Sequence, residues 1–225
     1  MNPILKRTLT GIAVGAAVIA AILFAPPQAI MPALACLIVL AIAEYFQLLM
    51  LLAKKRHRAG GSTMPCFLVG AAVIACGLWA LAEIAVRHGN MMLLYVVAIV
   101  KFSDVGGFAV GMTTDKLMKA RGGNHKMCPS ISPAKSWEGL LGSLAFSCIV
   151  SCAFIPATHF SVGKSFALGV VAALVGTAGD LVESKFKRCV GVKDSSTMKI
   201  TNGMGGFLDM LDSLLIAPAV LLALI

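Results

Sequence analysis

Charge is scarce in this chain. Charged residues make up 13% of the 225 positions and aromatic residues 7%, whereas an ordinary soluble domain is about 25% charged. That scarcity excludes disorder, a coiled coil and a typical soluble domain, each of which needs a charged, solvated face. A C-x-x-C pair is also missing among the seven cysteines, at 36, 66, 76, 128, 148, 152 and 189, which argues against a zinc or thiol-redox motif. Cys148 and Cys152 lie one helical turn apart, but in an apolar run, where Cys packs as a small hydrophobe. No internal repeat or low-complexity tract is visible, and no stretch leaves room for a soluble domain. What is there is apolar: 59% hydrophobic residues and a mean hydropathy of +0.91. The expected class is all-α, a polytopic transmembrane helical bundle.

A helix needs about 20 apolar residues to cross a bilayer. Seven stretches qualify, near 8–25, 29–52, 66–86, 91–112, 139–157, 165–183 and 207–225. The first follows Lys6 and Arg7 in the manner of a signal peptide, but Pro26-Pro27 ends it and a second span begins at once, so a retained helix in a hairpin is expected. With the N-terminus in the cytoplasm, sixteen of the nineteen basic residues fall inside, Arg87 and Lys164 fall outside, and Lys101 lies within a span. The positive-inside rule favours that orientation, and much of the formal charge of +9 is then topology signal. The chain divides into N-terminal transmembrane helices over 1–100 and a second transmembrane region over 101–225 with two cytoplasmic loops, 113–138 and 184–206, the region in which any site would have to lie.

A carboxylate at the bilayer centre costs at least about 2.5–3.5 kcal/mol, so such residues face a cavity or a partner. Asp180, Asp209 and Asp212 stand beside apolar spans in the final third. Asp209 and Asp212 share a helix face at i, i+3, as Asp180 and Ser184 do at i, i+4. Clustered Asp oxygens are the ligands a hard divalent ion prefers; a solvated helix end is the plainer reading. Lys101 and Asp104 are spaced to neutralise each other, Glu83 and Arg87 to form an interfacial pair, and the four histidines read as surface residues. Glu44 suits the edge of a polar cavity or an ion pair and is assigned no chemistry. The 184–206 loop carries Ser184-Lys-Phe-Lys-Arg188, then Lys193-Asp194-Ser-Ser196, then Asn202-Gly-Met-Gly-Gly206. Cations beside a glycine-rich turn suit a polyphosphate, because glycines admit backbone N–H groups to the anion, and the turn feeds the helix bearing Asp209 and Asp212. A loop that is basic for topology alone explains the cations but not the aspartates.

The stretch Asp180-x3-Ser184-x-Phe186-Lys187-Arg188-x4-Lys193-Asp194-x-Ser196, followed by Gly205-Gly206-x2-Asp209-x2-Asp212-Ser213, resembles the signature of the phosphatidate cytidylyltransferase (CDP-diacylglycerol synthase) family. Upstream, Asp104-x-Gly106-Gly107-x3-Gly111 and Ile131-Ser-Pro-Ala-Lys135-Ser-Trp137-Glu138-Gly139 resemble its second block. The likeness covers about residues 100–216. It departs where the family has His-Gly-Gly and this chain has Met204-Gly205-Gly206, and where the family has Asp-Arg before the last Asp and this chain has Asp209-Met210-Leu211-Asp212.

The resemblance implies a membrane enzyme of phospholipid biosynthesis that converts CTP and phosphatidate to CDP-diacylglycerol and pyrophosphate. It implies Mg²⁺ on Asp180, Asp209 and Asp212, with a second, monovalent cation left open. Asp180, Asp209, Asp212, Lys187 and Arg188 become the expected catalytic set. Ser184, Lys193, Asp194, Gly205, Gly206 and Lys135 become the expected substrate-binding set, with Ser132 and Trp137 near the entrance. The implied partners are CTP, phosphatidate, the bilayer and a second copy in a homodimer, with no nucleic acid. The implied location is a bacterial inner membrane with the site facing the cytoplasm. A CTP-dependent transferase or kinase acting on another membrane lipid shares this hydropathy. A cation transporter accounts for intramembrane aspartates but not for the basic, glycine-rich loop.

Overall fold

The computed structural model describes residues 15–56, 64–190, 208 and 211–225. Helix α1, Gly15–Phe24, stops at Pro26-Pro27, and Pro27 opens α2, Pro27–Arg56, since proline suits the first helical position, where its missing N–H costs nothing. Helix α3, Met64–His88, passes through Gly89 into α4, Asn90–Leu117. Gly89 has φ +83°, which glycine alone adopts readily, and its N–H closes the end of α3 on the Ala85 carbonyl at 3.1 Å. Helices α5, Trp137–Ala153, α6, Ile155–Thr158, and α7, Val162–Val190, follow. The described chain ends in a 3₁₀ turn, Asp212–Leu214, and α8, Ala217–Leu222.

Helix occupies each of the seven apolar stretches where they are described, and among the described residues four segments have the length and hydropathy of a crossing: Ala29–Met50, Leu68–His88, Asn90–Leu117 and Val162–Arg188. Helices α1 and α5 are shorter, and the final stretch is broken into the 3₁₀ turn and α8 around Pro218. Leu48, Leu78, Ile84, Tyr95, Ile99 and Leu221 are wholly enclosed, while Val69, Phe108 and Leu141 point outward. An apolar exterior is what hydrocarbon solvates.

With lipid as apolar as the core, helices associate through close packing and polar contacts. The α4–α5 pair shows both. A Cβ placed on Gly106 would lie 2.6 Å from the Gly142 carbonyl oxygen, and one on Gly142 would lie 2.6 Å from that of Gly106. The glycines of the upstream block are therefore a backbone-to-backbone seam. The Tyr95 hydroxyl and Ser151 Oγ are 2.8 Å apart, Ser151 donates to the Ser165 carbonyl at 2.6 Å, and Ser147 donates to that of Gly169 at 2.8 Å. These bonds tie α4 to α5 and α5 to α7.

Among the described residues, one departure from helix stands between α4 and α5, a two-stranded antiparallel hairpin of β1, Lys126–Cys128, and β2, Ser132–Ser136. Its approach is built by Gly122 and Gly123, at φ +94° and +88°, and by Asn124, whose Nδ2 donates to the Gly111 carbonyl at 2.9 Å. Ser136 ends β2 and caps α5, accepting from the Gly139 N–H at 3.1 Å.

Candidate active site

Three carboxylates from distant parts of the chain face one another: Asp104 on α4, Asp180 on α7 and Asp212 at the 3₁₀ turn, near enough for mutual repulsion. Two lysines and a serine offset them. Lys101 Nζ donates to Ser213 Oγ at 2.9 Å, and Ser213 Oγ donates to Asp104 Oδ2 at 2.8 Å. Lys101 also stands 3.5 Å from Asp104 Oδ2, the pairing expected from their spacing. Ser213 is fully buried, and its N–H donates to Asp212 Oδ1 at 2.6 Å. One residue thus links two of the acids.

The second cation comes from outside the helices. Lys135, on β2, forms an ion pair with Asp180 Oδ2. The other oxygen, Asp180 Oδ1, is buried without a hydrogen-bond partner. A cavity of about 240 Å³ opens beside this pair, lined in part by Asp104, Ser132, Lys135, Ser143, Thr177 and Asp180. A larger cavity, about 420 Å³, is lined from α2, α3, α7 and the final segment, Asp212 included, and its wall is apolar apart from Glu183 and Asp212: Tyr45, Val73, Phe186, Leu208 and Leu215 are typical. A polar recess and an apolar one meet at the acidic cluster.

The remaining expected site residues are placed unevenly. Ser184 is half-buried one turn beyond Asp180 on α7. Lys187 pairs with Glu183 at 3.5 Å on its own helix. Arg188 is exposed and donates through Nε to the Ile131 carbonyl at 3.3 Å, joining the end of α7 to the hairpin turn. Trp137 is exposed at the start of α5. Lys193, Asp194, Gly205, Gly206 and Asp209 lie outside the described residues.

Among the described residues, no three His, Cys, Asp or Glu side chains are drawn together tightly enough to hold a metal ion. The donor chemistry nevertheless suits a hard divalent cation: carboxylate oxygens of Asp180 and Asp212 with one orphaned oxygen, Asp180 Oδ1, are ligands of the preferred kind. Asp209 is the expected third.

Reasoning from sequence missed Asp104 and Ser213 as members of this cluster. Asp104 has a satisfying local partner in Lys101, which hides its long-range role, although it heads the block ending in Gly111. Sequence spacing gives Glu44 no role either; it is buried, and its Oε2 accepts from the Leu208 N–H at 2.7 Å. His125 is exposed as expected, yet its ring Nδ1 lies 2.7 Å from Glu138 Oε1. That hydrogen bond holds the Glu138 carboxyl down at about 2 and clips the hairpin to the first turn of α5.

Comparison with known proteins bears on this geometry. The profile of the cytidylyltransferase family matches residues 48–225. The phosphatidate cytidylyltransferase of Mycobacterium bovis is 41% identical over 133 residues, covering 57% of this chain and 39% of that protein. That of Haemophilus influenzae is 40% identical over 136 residues, covering 56% of this chain and 43% of its own length. That of Staphylococcus aureus strain COL is 42% identical over 128 residues, covering 56% and 45%. The chain therefore spans less than half the length of these relatives.

Proposed function

The chain belongs to the cytidylyltransferase family, and from that premise we propose that it transfers the cytidylyl group of CTP to phosphatidate, giving CDP-diacylglycerol and pyrophosphate. The observation that carries the proposal is the meeting of Asp104, Asp180 and Asp212 with Lys101 and Lys135 between a polar cavity and an apolar one. A substrate pair of one polyphosphate and one two-chain lipid needs such a junction.

In this reading Asp180 and Asp212, with Asp209, hold Mg²⁺, which when bound neutralises charge on the triphosphate oxygens. Lys135 is placed to exchange Asp180 for a phosphate oxygen, as a lysine serves phosphate as a mobile point charge. Lys101 and Ser213 hold the Asp104 carboxylate, and the Ser213 N–H holds that of Asp212, in place. A phosphatidate oxygen attacks the α-phosphorus in line, the new P–O bond forms, and the bond to the β-phosphate oxygen breaks to release pyrophosphate. The phosphate monoester is already anionic near neutral pH, so no side chain need remove a proton. Catalysis rests on positioning and charge stabilisation, with Arg188, Lys187 and Lys193 offsetting the leaving group. The homodimer, the cytoplasmic face and the bacterial inner membrane belong to the same proposal.

The test is to incubate purified chain with labelled CTP, Mg²⁺ and vesicles containing phosphatidate and to identify the lipid product. CDP-diacylglycerol with equimolar pyrophosphate is expected, and Asp212→Asn should lower the rate at least about 100-fold, in the range of losing a key electrostatic group. Absence of product from wild type, or a full rate in the folded variant, overturns the proposal or the role of Asp212 respectively.

A further inference from the structure

Glu44 is a charge in an unexpected place. It sits on α2 within the apolar span Ala29–Met50, is 3% exposed, and precedes residue 48, where the family match begins. A carboxylate on a membrane helix is costly unless it faces a partner or cavity. Here it reaches 164 positions along the chain to the Leu208 backbone N–H, at 2.7 Å. Leu208 is itself buried. It precedes Asp209 by one position and Asp212 by four.

The next residue on α2 makes a parallel connection. Tyr45 packs on Phe186 with ring centroids 5.1 Å apart, six residues after Asp180 on α7. Tyr45, Phe186, Leu208 and Asp212 line one cavity. Helix α2 therefore grips both segments that carry the facing carboxylates: one through a hydrogen bond to backbone, the other through an aromatic contact. A backbone fixed at Leu208 stands four positions before Asp212 in sequence.

We infer that Glu44 is a positioning residue, whose carboxylate fixes the backbone at Leu208 and so sets where Asp212 stands relative to Asp180. The inference rests on the reading of those aspartates as the metal-holding pair. It gives a residue ahead of the matched segment a part in the site's geometry. Glutamine keeps an acceptor oxygen at the same place and alanine does not, so the pair of variants separates the hydrogen bond from mere folding.

The experiment uses the full chain in lipid nanodiscs as wild type, Glu44→Gln and Glu44→Ala. Three quantities are read: hydrogen exchange at the Leu208 amide, Mn²⁺ affinity by electron paramagnetic resonance, and kcat with KM for CTP. Glu44→Gln should retain slow exchange and lie within about three-fold of wild type in the other measurements, since a neutral acceptor is roughly half as strong as a charged one. Glu44→Ala should exchange rapidly at Leu208, bind Mn²⁺ several-fold more weakly and lose about ten-fold in kcat with KM little changed, less than the roughly 100-fold cost of an ångström-scale misplacement. Rapid exchange with unchanged Mn²⁺ affinity and kcat makes the tie purely structural and overturns the inference. Equal losses in both variants overturn it too, because the hydrogen bond would then not be what matters. If wild type makes no CDP-diacylglycerol, the functional proposal fails, and exchange with Mn²⁺ affinity decides the role of Glu44.

Discussion

Ser213→Ala removes a single oxygen from the centre of the acidic cluster. Ser213 is fully buried, and that oxygen accepts from Lys101 at 2.9 Å and donates to Asp104 at 2.8 Å. A hydrogen bond to a charged group contributes about 1.5–3 kcal/mol, so two set an upper bound of about 3–6 kcal/mol. The realised loss is smaller for two reasons. The side chains of Lys101 and Asp104 are 36% and 31% exposed, so water replaces part of what is lost, and they already stand 3.5 Å apart and can close on each other. The net destabilisation should be about 1–2 kcal/mol. The assay is reversible unfolding in mixed micelles for wild type, Ser213→Ala, Asp104→Asn and the double variant. The double-mutant cycle should return a coupling of about 1 kcal/mol. A Ser213→Ala change within about 0.3 kcal/mol of wild type, with additive double-variant behaviour, would refute the bridging role.

Gly142→Leu should destabilise the bundle by about 1–3 kcal/mol or more through overpacking, because a Cβ there already meets the Gly106 carbonyl oxygen at 2.6 Å; Gly163→Ala, with open space around it, serves as the neutral comparison in the same unfolding assay. Lys135→Met should lower cytidylyl transfer at least about ten-fold, a charge-stabilisation effect, whereas Lys126→Met, which breaks only the surface pair with Asp115, should change it less than about two-fold. Acid should loosen the hairpin: Glu138 titrates near 2 when folded, below its ordinary value, so its tie to His125 contributes fully above the ordinary value and is lost as pH falls through about 2. Hydrogen exchange at residues 124–137 between pH 5 and 2 should show that loss in wild type and a flatter profile in Glu138→Gln.

The parts of this structure legible in the sequence are those governed by neighbours along one helix. The apolar stretches follow from hydropathy, and the Glu83–Arg87 and Lys101–Asp104 pairs follow from spacings of four and three. The hairpin was hidden because its strands are three and five residues long, too short for alternation to register. The company of Asp104 was hidden for a different reason: Ser213 is 109 positions away, and no local pattern encodes a contact across that separation. Lys187 carries a local partner as well: Glu183 stands four residues before it and pairs with its ammonium at 3.5 Å, so in the proposed reaction a phosphate meets a lysine already held on its own helix.

The α4–α5 seam also bears on motion. Contacts made by long side chains can shift by changing rotamers, but Gly106 and Gly142 have none to rotate. Sliding one helix along the other would drive backbone into backbone, so α4 and α5 travel as one plate. Asp104 and the hairpin that follows α4 ride on that plate. Around the larger cavity the side chains of Tyr45, Val73 and Phe186 do the spacing instead, and side chains can change rotamer. The same bundle thus joins a seam that keeps charges in register to a cavity wall whose lining can adjust.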